Sequence, residues 1–397
     1  MPHTRRTILA GLAVGLATVA CGPAALNAGP GKPRTAGAGI TADATPTPAA
    51  CADPRAYVQF VVNVHDTVHI DESAATLLRA TALFEKYGVA GDFYLTGPMV
   101  RLYAEKHPEV LERLKHSQMT ISYHVRPPHP LYSGFDQRLK GVSDAQIKQT
   151  LSDYETYGLN LATGDLVRSE TGGYTLVAET LGRAPVTVVA PNSDLRIKTA
   201  AWEVYRTLGA HVGVFFHETG TQPERPFEWR NGLLVRPSDF SVTRWKAGTL
   251  SNQGGDNDPF WWNMLTGSHA AEYNPAAYLK QRLAAWAHDR PALVTSLIHE
   301  NNFARKGAEA WTLSYYSDTE KTRALASPFD LNAADASKAR SPAEQDTVWA
   351  AYEEMVAHAA TNLRVVTSED ILALAAASGA AGSFASGCAA LPATHPR

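Results

Sequence analysis

Tyr57-Val58-Gln59-Phe60-Val61-Val62-Asn63-Val64-His65-Asp66 is an apolar, β-branched run that ends in a His-Asp pair. A run of this kind reads as a buried strand that delivers polar side chains at its C-terminal end. A helical pattern follows over Ser73–Tyr87, with Leu77, Ala80, Phe84 and Tyr87 at helical spacing. Gly88-Val89 then leads to a second strand, Asp92–Thr96. Strand, helix and strand in this order predict an α/β fold with parallel strands and covering helices.

The alternation continues along the chain. Pro108 opens a short helix through Lys115, in the first-turn position that proline favours. Met119–Tyr123 is a third strand, leading into His124-Val125-Arg126-Pro127-Pro128-His129-Pro130. Asp144–Tyr157 reads as a helix capped by Ser143. Val186–Val189 is a strand, Thr199–Leu208 a helix and His211–Phe216 a strand. From about 217 to 276 the alternation stops, in a segment holding Trp229, Trp245, Trp261 and Trp262 and a hairpin near Leu233–Val235. So long an irregular stretch marks a functional insertion. Ala277–Ala287 is then helical, Leu293–Ile298 is a strand ending at His299, and Glu344–Ala360 is a helix with Val348, Tyr352, Met355 and Ala359 on one face. Leu363–Val366 is the last strand, and Thr367 or Ser368 caps a final helix with Glu369 and Asp370 in its first turn.

The flanks differ in character. Arg5-Arg6 precede an apolar stretch, Ile8–Ala20, too short to anchor in a bilayer. Residues 1–21 therefore read as an export signal of twin-arginine type. Thr18-Val19-Ala20-Cys21 resembles a lipoprotein cleavage box, with Cys21 as the lipidated residue and Thr18 where Leu is usual. Cleavage near Ala25 or Ala28 by ordinary signal peptidase is the alternative. Residues 22–54, rich in Ala, Gly, Pro and Thr, form a tether. The folded domain spans 55–377, and 378–397 is a tail. Cys51 and Cys388 flank the domain, and outside the cytoplasm such a pair can form a disulfide; two free thiols are the alternative.

Of the 397 residues, 45% are hydrophobic and 19% charged, an ordinary globular balance. With a formal net charge of −3 and no basic block, nucleic acid is excluded as an expected partner. A membrane enters only through the lipid anchor.

Asp66, His124 and His129 place one carboxylate and two imidazoles at the ends of early strands. That donor set can hold a divalent ion such as zinc with a coordination position open, where water is activated. The motifs resemble those of the polysaccharide deacetylase family, the NodB-homology domain of carbohydrate esterase family four. The resembling segments are Asn63–Asp66, Lys86-Tyr87-Gly88-Val89, Gly91–Gly97, His124 to His129-Pro130, Leu297-Ile298-His299 and Arg364–Leu372.

The resemblance implies a distorted (β/α) barrel, here with a long insertion, whose site lies at the strands' C-terminal ends. It implies Asp66, His124 and His129 as metal ligands and His299 as the acid that protonates the leaving group. It further implies acetylated polysaccharide or oligosaccharide as substrate.

Two departures concern the general base. The family's first Asp falls on His65, and the Arg that orients it is absent from Ala190-Pro191-Asn192-Ser193-Asp194. A neutral His is a base at pH 7 without an Arg beside it, so His65 is the expected base. It can equally be a fourth ligand, with Asp71 or another carboxylate as base, or the site can be inactive. His69 is expected in a loop. Asn192, Asp194, His217, Trp261 and Trp262 are candidate substrate contacts. A non-catalytic carbohydrate-binding lipoprotein on the same fold, or a hydrolase of another C–N or glycosidic bond, is the rival function.

Overall fold

The computed structural model describes residues 56–124, 139–189, 194–215, 228–237, 245–246, 249–250, 273–284, 293–306 and 309–377. Strand β1 (Tyr57–Asn63) is buried at every position. Its register fixes the sheet. One edge pairs in parallel with β8 (Leu293–His299) along its whole length, Tyr57 opposite Leu293 and Asn63 opposite His299. The other edge pairs with β9 (Arg364–Val365) at its start and with β2 (Asp92–Leu95) at its end. Parallel pairing then runs outward through β3 (Thr120–Tyr123), β4 (Thr187–Val189), β5 (Val212–Phe215) and β7 (Leu233–Pro237). The path from β8 to β7 is a parallel half-barrel of seven strands, with β9 added beside β1 and helices surrounding it. The predicted α/β barrel class is therefore found.

Side-chain alternation along the strands divides the interior into two zones. Val58, Phe60 and Val62 face the helices, where Phe60 stacks on Phe84 of α1 (Ile70–Lys86) at 5.5 Å. Tyr57, Gln59, Val61 and Asn63 have the opposite parity. Val61 meets Tyr94, Val189, Val214 and Leu297 in a layer across the sheet. Below that layer Gln59 donates to Asp92. Below that again, Tyr57, Val186, Val212 and Leu234 pack on Ile371 and Leu374 of the last helix, Ser368–Ala377, which closes the N-terminal end of the strands. Stacked layers of this kind fill the inside of a barrel rather than leaving a pore.

Several elements differ from the sequence reading. The helix expected over Ser73–Tyr87 starts earlier, at Ile70. A helix absent from that reading, Gly97–Lys106, is capped by Thr96, whose side chain accepts from the Met99 N–H. Leu233–Pro237, inside the stretch expected to be an insertion, is the seventh parallel strand of the sheet. It is folded back on β6 (Glu228–Arg230) through Asn231 and Gly232. Both turn residues have positive φ, 49° and 78°, as a tight type I′ hairpin demands. Ser143 and Ser341 each close a capping box, on the helices Asp144–Thr156 and Pro342–Asn362 respectively. No described helix is long and apolar enough to cross a membrane.

Candidate active site

His65, His124 and His299 continue the inward parity of β1, β3 and β8 at the C-terminal rim of the sheet. Backbone bonds carry the ladder one step past the strands: the Val64 N–H donates to Tyr94 and the His124 N–H to Leu95. The three rings therefore converge. The His65 and His299 centroids are 4.5 Å apart and nearly perpendicular, and His65 and His124 are 5.5 Å apart. His65 Nε2 lies 3.1 Å from His299 Nδ1, so one ring donates to the other. All three are buried.

Glu309 completes the group. Its Oε1 lies 3.7 Å from His299 Nδ1, and Lys321 Nζ forms an ion pair with its Oε2. The same ammonium stands 4.5 Å from the centroid of Trp311, whose ring is 6.3 Å from that of His65. One donor atom each from His65, His299 and Glu309 lie within 4.8 Å of one another, and all three residues are buried. Two imidazoles and a carboxylate at this spacing could hold a divalent ion and leave a coordination position open. The fit for a divalent ion is thus met by the chemistry of the donors. Lys321 both orients the Glu309 carboxylate and competes with a cation for it.

Asp66 faces a different set of partners. Its Oδ1 accepts from the N–H groups of Val68 (3.0 Å) and His69 (3.2 Å), and its Oδ2 lies 3.3 Å from His69 Nδ1. Burial pushes this carboxyl up, but the His69 hydrogen bond and charge and the two N–H donors outweigh it and hold Asp66 below its ordinary value. Burial pushes His69 down, yet Asp66 and then Asp335 raise it overall. His69 Nε2 reaches Asp335 at 2.8 Å. Arg305 then joins Asp335 to Glu72, with bidentate contacts to Glu72 at 2.7 and 2.9 Å. The ring expected in a loop thus stands at the N-cap position of α1 and bridges two carboxylates.

Glu300 lies beneath the site. Its Oε1 accepts from the backbone N–H of His65 at 2.7 Å and of Asp66 at 2.6 Å. Burial first, and then the Asp66 charge, push this carboxyl up to about 8, against the two backbone donors. Glu300, the residue directly after His299, therefore ties the end of β1 to the end of β8.

Of the residues singled out from sequence, His65, His124 and His299 come together. Asp66 is adjacent but bonded to His69. Asp194 caps Leu195–Leu208, accepting from Arg196 and Ile197 N–H. Asp71 is exposed and paired with His107 at 2.7 Å. His129, Asn192, His217, Trp261, Trp262, Cys21, Cys51 and Cys388 lie outside the described residues. Sequence reasoning missed Glu300 and Glu309. The one available signal was Glu300's position directly after His299.

No family model matches the chain, and no curated protein matches it. Solved structures with partial likeness to the chain include a protein of Mycobacterium smegmatis assigned to the polysaccharide deacetylases (13% identity, TM-score 0.45, 84% of this chain and 95% of that one). They also include the 4-alpha-glucanotransferase of Thermococcus litoralis (12% identity, TM-score 0.46, 80% of this chain and 40% of that one). A third is the peptidoglycan deacetylase PdaC of Bacillus subtilis (12% identity, TM-score 0.34, 79% of this chain and 89% of that one). Fold and site together define a parallel α/β protein with an imidazole–carboxylate cluster buried at the C-terminal ends of its strands.

Proposed function

We propose that the chain is an exported, metal-dependent hydrolase that removes N- or O-linked acetyl groups from an extracellular or cell-envelope polysaccharide. The observation that carries this reading is the buried convergence of His65, His299 and Glu309 beside His124. We assign the ion, zinc by its donor set, to His65, His299 and Glu309. When bound, such an ion polarises a carbonyl oxygen and lowers the pKa of water. This assignment moves His65 and His299 from proton transfer to ligation. Proton transfer then falls to His124, the remaining ring of the cluster, which takes a proton from the attacking water and returns it to the departing amine or alcohol. Trp311 walls the rim with an apolar face suited to an acetyl methyl. Glu300 holds the His65–Asp66 backbone in place. Asn192, Asp194, His217, Trp261 and Trp262 remain proposed substrate contacts, Cys21 the proposed lipidation site, and Cys51 with Cys388 the proposed disulfide.

The test combines metal analysis with acetate release from a panel of acetylated glycans. Glu309→Gln and His299→Ala are expected to lose both metal and activity. His124→Ala is expected to keep the metal and lose about 10²–10⁴-fold in rate. Asp66→Asn separates this ligand set from Asp66, His124 and His129, because it spares the metal only in the first case. Metal-free protein that releases acetate at the wild-type rate would overturn the proposal.

Glycan binding without turnover is a second reading. The Lys321 ammonium favours it, since it already neutralises Glu309. Retained glycan affinity with no acetate released from any member of the panel would establish that reading instead.

A further inference from the structure

Arg340, just before the Ser341 cap of the helix Pro342–Asn362, is 2% exposed. Its Nε–H donates to the Asn302 carbonyl at 2.9 Å. Its terminal groups Nη1 and Nη2 are buried and meet no acceptor among the described residues. The same is true of the hydroxyls of Tyr273 and Tyr352, which are 3% and 0% exposed. Tyr352 meets Phe303 at 5.2 Å, Arg340 holds Asn302 just before it, and Arg340 and Tyr352 both act electrostatically on the Tyr273 hydroxyl, so the three groups share one region of the interior. Glu344, the carboxylate that acts on Arg340, is held by Lys306 at 2.7 Å and by the Ser341 N–H at 2.8 Å. No ion pair joins Glu344 to Arg340 among the described residues.

A guanidinium stays charged and can only donate hydrogen bonds. Leaving such a charge buried without a counter-charge is strongly destabilising. The two phenols can also donate. A set of donors around a fixed positive charge repels a cation. Water would satisfy the hydrogen bonds but leave the charge. A small anion satisfies both. Phe303 lies edge-on to Tyr352 at 5.2 Å, and an aromatic neighbour this close favours a compact ion over a branched one.

We propose that Arg340, Tyr273 and Tyr352 bind a small monovalent anion of the halide class inside the core. Its place has a consequence for the active site. Asn302 belongs to the turn Glu300–Phe303, which directly follows His299, and the Arg340 N–H donates to Ala304 at 2.8 Å. The anion would therefore brace, from behind, the turn that carries Glu300 and positions His299.

The experiment compares thermal unfolding of the purified protein in sodium chloride and in sodium gluconate at equal ionic strength. An ion bound only by the folded state raises the midpoint with the logarithm of its concentration. We expect about 2–4 °C per tenfold chloride above saturation, and no such trend in gluconate. Crystals soaked in sodium bromide are expected to show an anomalous peak in contact with Arg340 Nη1 or Nη2. Arg340→Met is expected to abolish the chloride trend. Should that variant fail to fold, Tyr273→Phe, which removes one donor and keeps the ring, is expected to weaken it. Equal midpoints in the two salts, together with no bromide peak at Arg340, would overturn the proposal.

Discussion

The acid at position 300 makes a prediction at the scale of one residue. Burial raises the folded-state pKa of Glu300 from 4.5 to about 8. A carboxyl that binds its proton more tightly when folded adds stability below pH 4.5, and that stability is lost as the pH rises towards 8. The full span amounts to a few kcal/mol. His69 and Glu155 are also raised, so they slope the same way. The share of Glu300 is isolated as the difference between the wild type and Glu300→Gln, whose amide oxygen can still accept from His65 and Asp66 N–H. Urea unfolding is expected to show the wild type losing stability relative to the variant between pH 5.5 and 8.5. Parallel curves would mean that Glu300 binds no extra proton in the folded state. None of this was legible in the sequence. Glu300 acquires its role from N–H groups 235 and 234 positions away, and a single buried acid leaves no periodic trace. The three histidines were legible because each ends an apolar strand, and strand parity carries their direction.

At the scale of elements, the opposite end of β2 holds the fold closed. Asp92 is fully buried and accepts from Gln59 Nε2 at 2.7 Å and from the Ser368 N–H at 3.1 Å to each of its oxygens. It is the anion at the start of the final helix, where the free N–H groups and the helix dipole favour negative charge. Asp92→Ala is expected to cost about 2–4 kcal/mol in urea unfolding, by leaving buried donors unpaired. The metal content of the folded fraction is expected to stay unchanged, because Asp92 stands about 10 Å along β2 from the rim. Loss of metal from folded Asp92→Ala protein would contradict that separation of ends. The central strands and long helices were readable because their hydrophobic period is unambiguous. Gly97–Lys106 was hidden because Thr96-Gly97-Pro98 punctuates like a loop, although proline early in a helix and Thr as its cap are start signals. Leu166–Thr171 was hidden for another reason. It forms a half-exposed two-stranded ladder with Tyr157–Leu159, and nothing apolar alternates along it. Leu233–Pro237 joins the sheet only through its pairing with β5, which local pattern cannot report.

At the scale of the whole molecule, the proposed ion acts as a clasp. His65 follows β1, His299 ends β8, and Glu309 comes from the segment beyond, so one ion joins three parts of the chain that meet only in the folded state. A ligand bound by the folded but not the unfolded chain stabilises the whole by mass action, about 2.7 kcal/mol when its free concentration is a hundredfold above Kd. Chelation is therefore expected to lower the thermal midpoint of the wild-type protein, and added zinc to restore it. Glu309→Gln should start near the chelated midpoint and respond to neither treatment, because the carboxylate that completes the donor set is gone. An undiminished chelator response in Glu309→Gln would put the ion elsewhere. Asp66, His124 and His129 would then be the donors to replace one at a time, with the midpoint shift as the readout.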